Sequence, residues 1–133
     1  QIEQIEVMSI LRKQIENESL SIKLVADEWA PTLQDKIEFI KADAADIYQI
    51  KTPDLGSIAQ SVEAILYCKT QGVGTYLGGS SAETVRSAQV TVHIGLATRP
   101  DQVLAKPGMG VDEGISAMYN EMRRALALIF SRH

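Results

Sequence analysis

Ile22-Lys23-Leu24-Val25-Ala26-Asp27-Glu28-Trp29 and, further on, Ile47-Tyr48-Gln49-Ile50-Lys51-Thr52 are the stretches that decide the fold. Each is a short apolar run ending in charge, and Thr32 to Ala42 between them carries the spacing of a helix. Strands over Ile22 to Ala26 and Ile47 to Ile50 on either side of that helix make a βαβ unit, whose strands run parallel. Asp27 and Lys51 then stand at the carboxyl ends of neighbouring strands, about 5 Å apart. Parallel α/β folds bind ligands at this edge. A carboxylate and an amine so placed suit one small ligand; they also fit the solvated loop positions that most such residues occupy.

Upstream, Ile2, Ile5, Met8, Leu11 and Ile15 recur every three or four residues, which predicts an amphipathic helix ending near Asn17 and covering one face of a sheet. Thr32 with Asp35 has capping-box spacing, opening a helix with Leu33, Ile37 and Ile40 inward. Downstream, Pro53-Asp54 and Gly56 mark a loop. Ser57 with Gln60 again has the capping spacing, and Ile58, Val62, Ile65 and Leu66 predict a helix stopped at Gly72. Gly74 to Leu77 reads as a third strand. Gly78-Gly79-Ser80-Ser81 follows at the same edge, before a helix expected from Ala82; such a run suits an anion at a helix N-terminus and equally a plain turn and N-cap. Val90 to Ile94 has strand-like composition within that helix. Gln102 to Ala105 predicts a fourth strand, and a last helix from about Asp112 places Ile115, Met118, Met122, Leu126 and Ile129 inward.

The fold class is therefore α/β: one helix, then about four parallel strands alternating with helices. A closed (β/α)₈ TIM-type barrel takes eight strands and about 250 residues, so 133 residues with about four strands make roughly half of one, in a single domain over 1–133. The chain begins with Gln1, not Met, which points to a longer parent.

Hydrophobic residues at 45% and charged residues at 23% fit a globular chain, not a disordered one. A net charge of −4, with no basic cluster interleaved with aromatics, argues against a nucleic-acid partner. No apolar run approaches the length of a membrane helix and no signal peptide is evident, so the cytoplasm is the expected compartment. The single Cys68 reads as a small buried hydrophobe. His93, in an apolar run, reads as a core histidine, His133 as a frayed end, and Arg123, Arg124 and Arg132 as helix C-terminal cations.

Ala26-Asp27-Glu28-Trp29, Gln49-Ile50-Lys51-Thr52-Pro53-Asp54-Leu55-Gly56, Gly78-Gly79, Ala82-Glu83-Thr84 and Lys106-Pro107-Gly108-Met109-Gly110-Val111-Asp112-Glu113-Gly114 occur in this order. With them the chain resembles the C-terminal part of methylaspartate ammonia-lyase, a family of the enolase superfamily, over nearly its whole length. The resemblance implies a barrel enzyme that removes the C3 proton of an amino acid substrate, 3-methylaspartate, and expels ammonia to give mesaconate, a step of glutamate degradation. It also implies the superfamily's Lys or His base with Mg²⁺ stabilising the ene-diolate; a monovalent cation such as K⁺ is a further expected cofactor.

By motif, Asp27 resembles one of three Mg²⁺ carboxylates and Lys51 the base that takes the C3 proton. Gln49, two residues earlier and so on the same face, resembles a hydrogen-bonding partner of a substrate carboxylate. Ser80 and Ser81 match the positions holding the other carboxylate, partly through backbone N–H, though the family commonly has Thr-Cys there. Tyr76 and Leu104 resemble pocket walls. The other two metal carboxylates and a histidine acting on the opposite substrate face belong to earlier strands, so the expected partners are the missing N-terminal half of the barrel and further copies in a homo-oligomer. Two other readings stay open: a cycloisomerase or epimerase of the same superfamily with a similar Asp and Lys, or a non-catalytic half-barrel in which Asp27 and Lys51 form a salt bridge.

Overall fold

The computed structural model describes residues 2–131. Gln1, Arg132 and His133 lie outside the described residues. Four strands form one sheet in sequential order: β1 (Val25–Ala26), β2 (Ile47–Ile50), β3 (Gly74–Leu77) and β4 (Gln102–Val103). Every neighbouring pair is parallel, with Val25 opposite Ile47, Gln49 opposite Tyr76, and Leu77 opposite Val103. Sequential parallel order without a switch in direction is that of a barrel wall, here about half of a (β/α)₈ barrel.

Alternation along the strands assigns their two faces. Ala26 and Tyr48 pack with Phe39 of α2 (Leu33–Lys41) and Cys68 of α4 (Ile58–Thr70). Ile50 and Leu77 pack with Ala64 and Ile65 of α4 and Ile94 of α5 (Val85–Thr98). The helices therefore cover one face, and the other carries Val25, Ile47, Gln49, Tyr76 and Leu104, of which Val25 is exposed and Ile47, Tyr76 and Leu104 are half-buried. A third cluster, Ala88 and Val92 with Met118, joins α5 to the last helix, Val111–Phe130. The Thr32–Asp35 capping box is formed and Cys68 is fully buried, as the sequence predicts.

Several expected boundaries and faces shift. The first strand is short, and Ile22 is exposed, because Leu24 N donates to the Asp46 carboxylate (2.8 Å) before the ladder begins. The fourth ends at Val103, although Leu104 N still donates to Leu77 O (2.9 Å). Residues 82–84 are not helical: Thr84 caps α5 by accepting from Ser87 N, and Val90 to Ile94 lies wholly in that helix. A four-residue helix, Thr52–Leu55, occupies the expected loop and closes at Gly56, whose φ of 79° suits glycine.

Inward faces differ too. On α2 Lys36 and Phe39 are fully buried, while Leu33 and Ile40 pack half-buried against the core as the sequence predicts and Ile37 is half-buried. On α4 Ile58 and Leu66 are exposed while Ser61, Ala64, Ile65 and Cys68 pack inward. The last helix buries Gly114, Met118, Glu121 and Ala125, which rotates Ile115 and Ile129 out to solvent. His93 is no core residue: its side chain is half-exposed and lies 2.7 Å from the buried Glu121 carboxylate, which Arg124 also holds. The N-terminal helix (Ile2–Asn17) touches the core mainly through Met8, and Ile2 and Leu11 are exposed; Arg12 pins it to Asp43 and Asp46.

Candidate functional site

Strand alternation and strand ends place the site. Asp27 follows the last residue of β1, and Gln49 and Lys51 alternate with the helix-facing Tyr48 and Ile50, so all three side chains meet on the open face at the carboxyl edge. The Thr52–Leu55 turn fixes Lys51 there, since Lys51 O accepts from Asp54 N (3.1 Å) and Leu55 N (3.2 Å). Lys51 Nζ lies 2.7 Å from Asp27 Oδ1 and 2.6 Å from Glu28 Oε1. The Gln49 amide faces the Asp27 carboxylate, and the orientation that satisfies both groups turns its nitrogen there as donor. Gln49 is buried, and a Cβ on Gly78 would run into its side chain, so Gly78 is what lets Gln49 stand there.

Burial pulls the Lys51 amine down, but the hydrogen bonds it donates to Asp27 and Glu28, and their charges, outweigh it and leave its pKa above the ordinary value. In this arrangement Lys51 is an ammonium clamped by two carboxylates.

Opposite stands the turn after β3. Gly78 N donates to Ile50 O (2.9 Å), which carries Gly79, Ser80 and Ser81 across from Lys51. Between them lies a cleft of about 620 Å³ lined by Glu28, Lys51, Asp54, Gly79, Ser80, Ser81 and Gly108. Tyr76 and Leu104 sit deeper on the open face and do not line this cleft. The turn is not the N-terminus of α5, because three residues separate Ser81 from Val85. Ser80 N is also engaged, donating to Glu83 Oε1 (2.8 Å), and Ser80 Oγ accepts from Ala82 N (3.3 Å).

Three further charged residues support these loops. Lys36 Nζ donates to Ala30 O and Pro31 O behind the Asp27-Glu28 loop. Lys106 Nζ donates to Gly78 O (2.9 Å) and lies 3.6 Å from Glu83. Glu83 and Lys106 stand in the motifs quoted above, but neither they nor Lys36 carry any apolar period that betrays burial. The available signal for Lys106 was its glycines: a Cβ on Gly108 would collide with Ser81 O, and one on Gly114 would lie 3.0 Å from Lys106 N.

A model of the methylaspartate ammonia-lyase C-terminus matches residues 1–131. Methylaspartate ammonia-lyase 2 of Carboxydothermus hydrogenoformans is 56% identical over 97% of this chain and 31% of its own length. Among solved structures, the magnesium complex of β-methylaspartase from Clostridium tetanomorphum superposes with a TM-score of 0.89 at 49% identity, over 98% of this chain and 32% of that one. The Citrobacter amalonaticus methylaspartate ammonia lyase containing (2S,3S)-3-methylaspartic acid gives 0.90 at 45% identity, over 96% and 31%. The chain thus spans about a third of the length of the relatives it matches. With the family model matched along its whole described length and the half-barrel topology in place, this chain belongs to the methylaspartate ammonia-lyase family.

Proposed function

We propose that residues 1–133 form the C-terminal part of one catalytic barrel which, with the rest of the protein, removes the C3 proton of 3-methylaspartate and eliminates ammonia to give mesaconate. The observation that carries this reading is the convergence of Asp27, Gln49 and Lys51 at one strand edge in a chain of this family. Lys51 Nζ, as free amine, takes the C3 proton; the electron pair left on C3 forms the C2–C3 double bond as the C2–N bond breaks, and the nitrogen leaves as ammonia. Gln49 and the Ser80-Ser81 turn bind the two substrate carboxylates. Tyr76 and Leu104, on the same open face but outside the cleft of this segment, become pocket walls once the rest of the barrel closes over that face.

Mg²⁺ asks for hard oxygen ligands in near-octahedral array. Asp27 fits as one such ligand, a partly exposed strand-end carboxylate; among the described residues no three His, Cys, Asp or Glu side chains converge, so the remaining ligands come from outside this segment. When bound, the cation supplies positive charge to a substrate carboxylate and so acidifies the neighbouring C–H. Asp27 is also one of the two carboxylates that hold Lys51 as an ammonium, so committing Asp27 elsewhere removes one of the two restraints on the amine and leaves the exposed Glu28 as the other.

The test is ammonia release and mesaconate absorbance from (2S,3S)-3-methylaspartate with Mg²⁺. The complete protein turns over; the 133-residue segment alone does not, and regains activity on mixing with a separately made N-terminal part. Turnover of a lactone or an epimerisable substrate in place of 3-methylaspartate would favour a cycloisomerase or epimerase.

A further inference from the structure

Lys106 and Glu83 form an ion pair sealed from solvent, each side chain 2% exposed, directly behind the turn that faces Lys51. Each partner also holds one peptide group of that turn: Lys106 Nζ donates to Gly78 O at 2.9 Å, and Glu83 Oε1 accepts from Ser80 N at 2.8 Å. Ser87 Oγ donates to the other Glu83 oxygen. Five polar groups are thereby satisfied in a place where an unpartnered charge is strongly unfavourable. The peptide planes on both sides of Gly79 are fixed as a consequence, since one carbonyl and one N–H two residues apart are tied to a single buried pair. The chain carrying Lys106 is itself immobilised: Gly108 packs backbone to backbone on Ser81, and Gly114 of the last helix lies against Lys106 N.

We infer that Lys106 and Glu83 are positioning residues, a buried latch that sets the orientation of the Gly78–Ser81 turn and thereby the affinity for the substrate carboxylate held there. This rests on the reading above of Ser80-Ser81 as a carboxylate site. The latch touches no reacting atom. Its loss loosens the turn and weakens binding of one carboxylate, leaving the Lys51 side of the cleft in place.

The experiment uses the complete enzyme with four variants: Lys106→Met, Glu83→Ala, Glu83→Gln and Ser80→Ala. Hydrogen bonds to charged groups are stronger than neutral ones, so Lys106→Met and Glu83→Ala should raise KM for 3-methylaspartate, and Kd for mesaconate by calorimetry, about tenfold or more, with kcat within about threefold of wild type. Glu83→Gln keeps an amide oxygen for Ser80 N–H and should recover most of that affinity. Should Lys106→Met fail to fold, the Glu83→Ala and Glu83→Gln pair carries the test alone. Stability falls on either reading; a purely structural role leaves KM and Kd of the folded fraction unmoved, which would overturn the inference. If Ser80→Ala raises KM and Glu83→Ala does not, the latch is refuted alone. If Ser80→Ala also leaves KM unmoved, the carboxylate-site reading falls and the latch with it.

Discussion

Two lysines at the carboxyl edge of the same sheet have opposite surroundings. Lys51, after β2, is 12% exposed beside carboxylates that are 40% and 78% exposed; Lys106, beyond β4, and its partner Glu83 are both 2% exposed. A half-wet ion pair exchanges partners cheaply and contributes up to about 1 kcal/mol, whereas a sealed pair cannot lose one member without stranding the other. The same chemical pair is thus labile on the β1–β2 side of the cleft and permanent on the β3–β4 side. The labile side suits proton transfer, and the permanent side suits holding a ligand still. The pKa directions agree: carboxylates win over burial at Lys51 and lift it, while at Lys106 burial wins over Glu83 and lowers it.

The sharpest way to break this contrast is mutation of the sealed pair. Lys106→Met leaves Glu83 buried and unpaired and should cost ~3–5 kcal/mol of stability, read by denaturant unfolding of the complete protein. The double variant Lys106→Met with Glu83→Gln should recover part of that loss. A single variant as stable as wild type would mean that Lys106 is not sealed.

Lys36 extends the comparison to the loop behind Asp27. Burial lowers its amine to about 8. Between there and the ordinary Lys value near 10.5, the unfolded chain binds more protons than the folded one, so stability rises with pH across that window. The gain is up to about 3 kcal/mol at ~1.36 kcal/mol per unit. Lys36→Met should flatten that rise in melting curves taken from pH 7.5 to 10.5; an unchanged slope would remove Lys36 from the buried set.

On the labile side, Asp27→Asn should raise the Mg²⁺ concentration for half-maximal activity about tenfold, a loss of ~1.4 kcal/mol, with little change in unfolding. An unchanged Mg²⁺ requirement would return Asp27 to a merely structural salt bridge.

What could be read from sequence follows from where the physics is local. The runs Ile47 to Ile50 and Gly74 to Leu77 and the Thr32–Asp35 cap depend on near neighbours, and they appear where the residues predict. The meeting of Asp27 with Lys51 also follows from parallel strands alone. Lys36, Glu83, Lys106 and Glu121 do not, because a charge in a helix or loop reads as solvent-facing, and their burial depends on carbonyls and counter-charges 3 to 28 positions away in the chain. His93 is misread for the reciprocal reason: its apolar neighbours face the core, while the ring turns to the carboxylate of another helix. The Gly78–Ser81 turn is legible in the sequence and its N–H accounting is not, since Glu83 reaches back to Ser80 N where the sequence predicts a helical turn.

Hydrogen exchange at C3 of (2S,3S)-3-methylaspartate in D₂O, catalysed by the complete enzyme and its Lys51→Ala variant, tests the central claim most directly. The exposed partners of Lys51 make the substitution nearly neutral for folding, within about 1 kcal/mol, so a folded variant that has lost C3 exchange by at least ~10³-fold is the expected result. A folded variant exchanging that proton at the wild-type rate would contradict the assignment of Lys51 as the base.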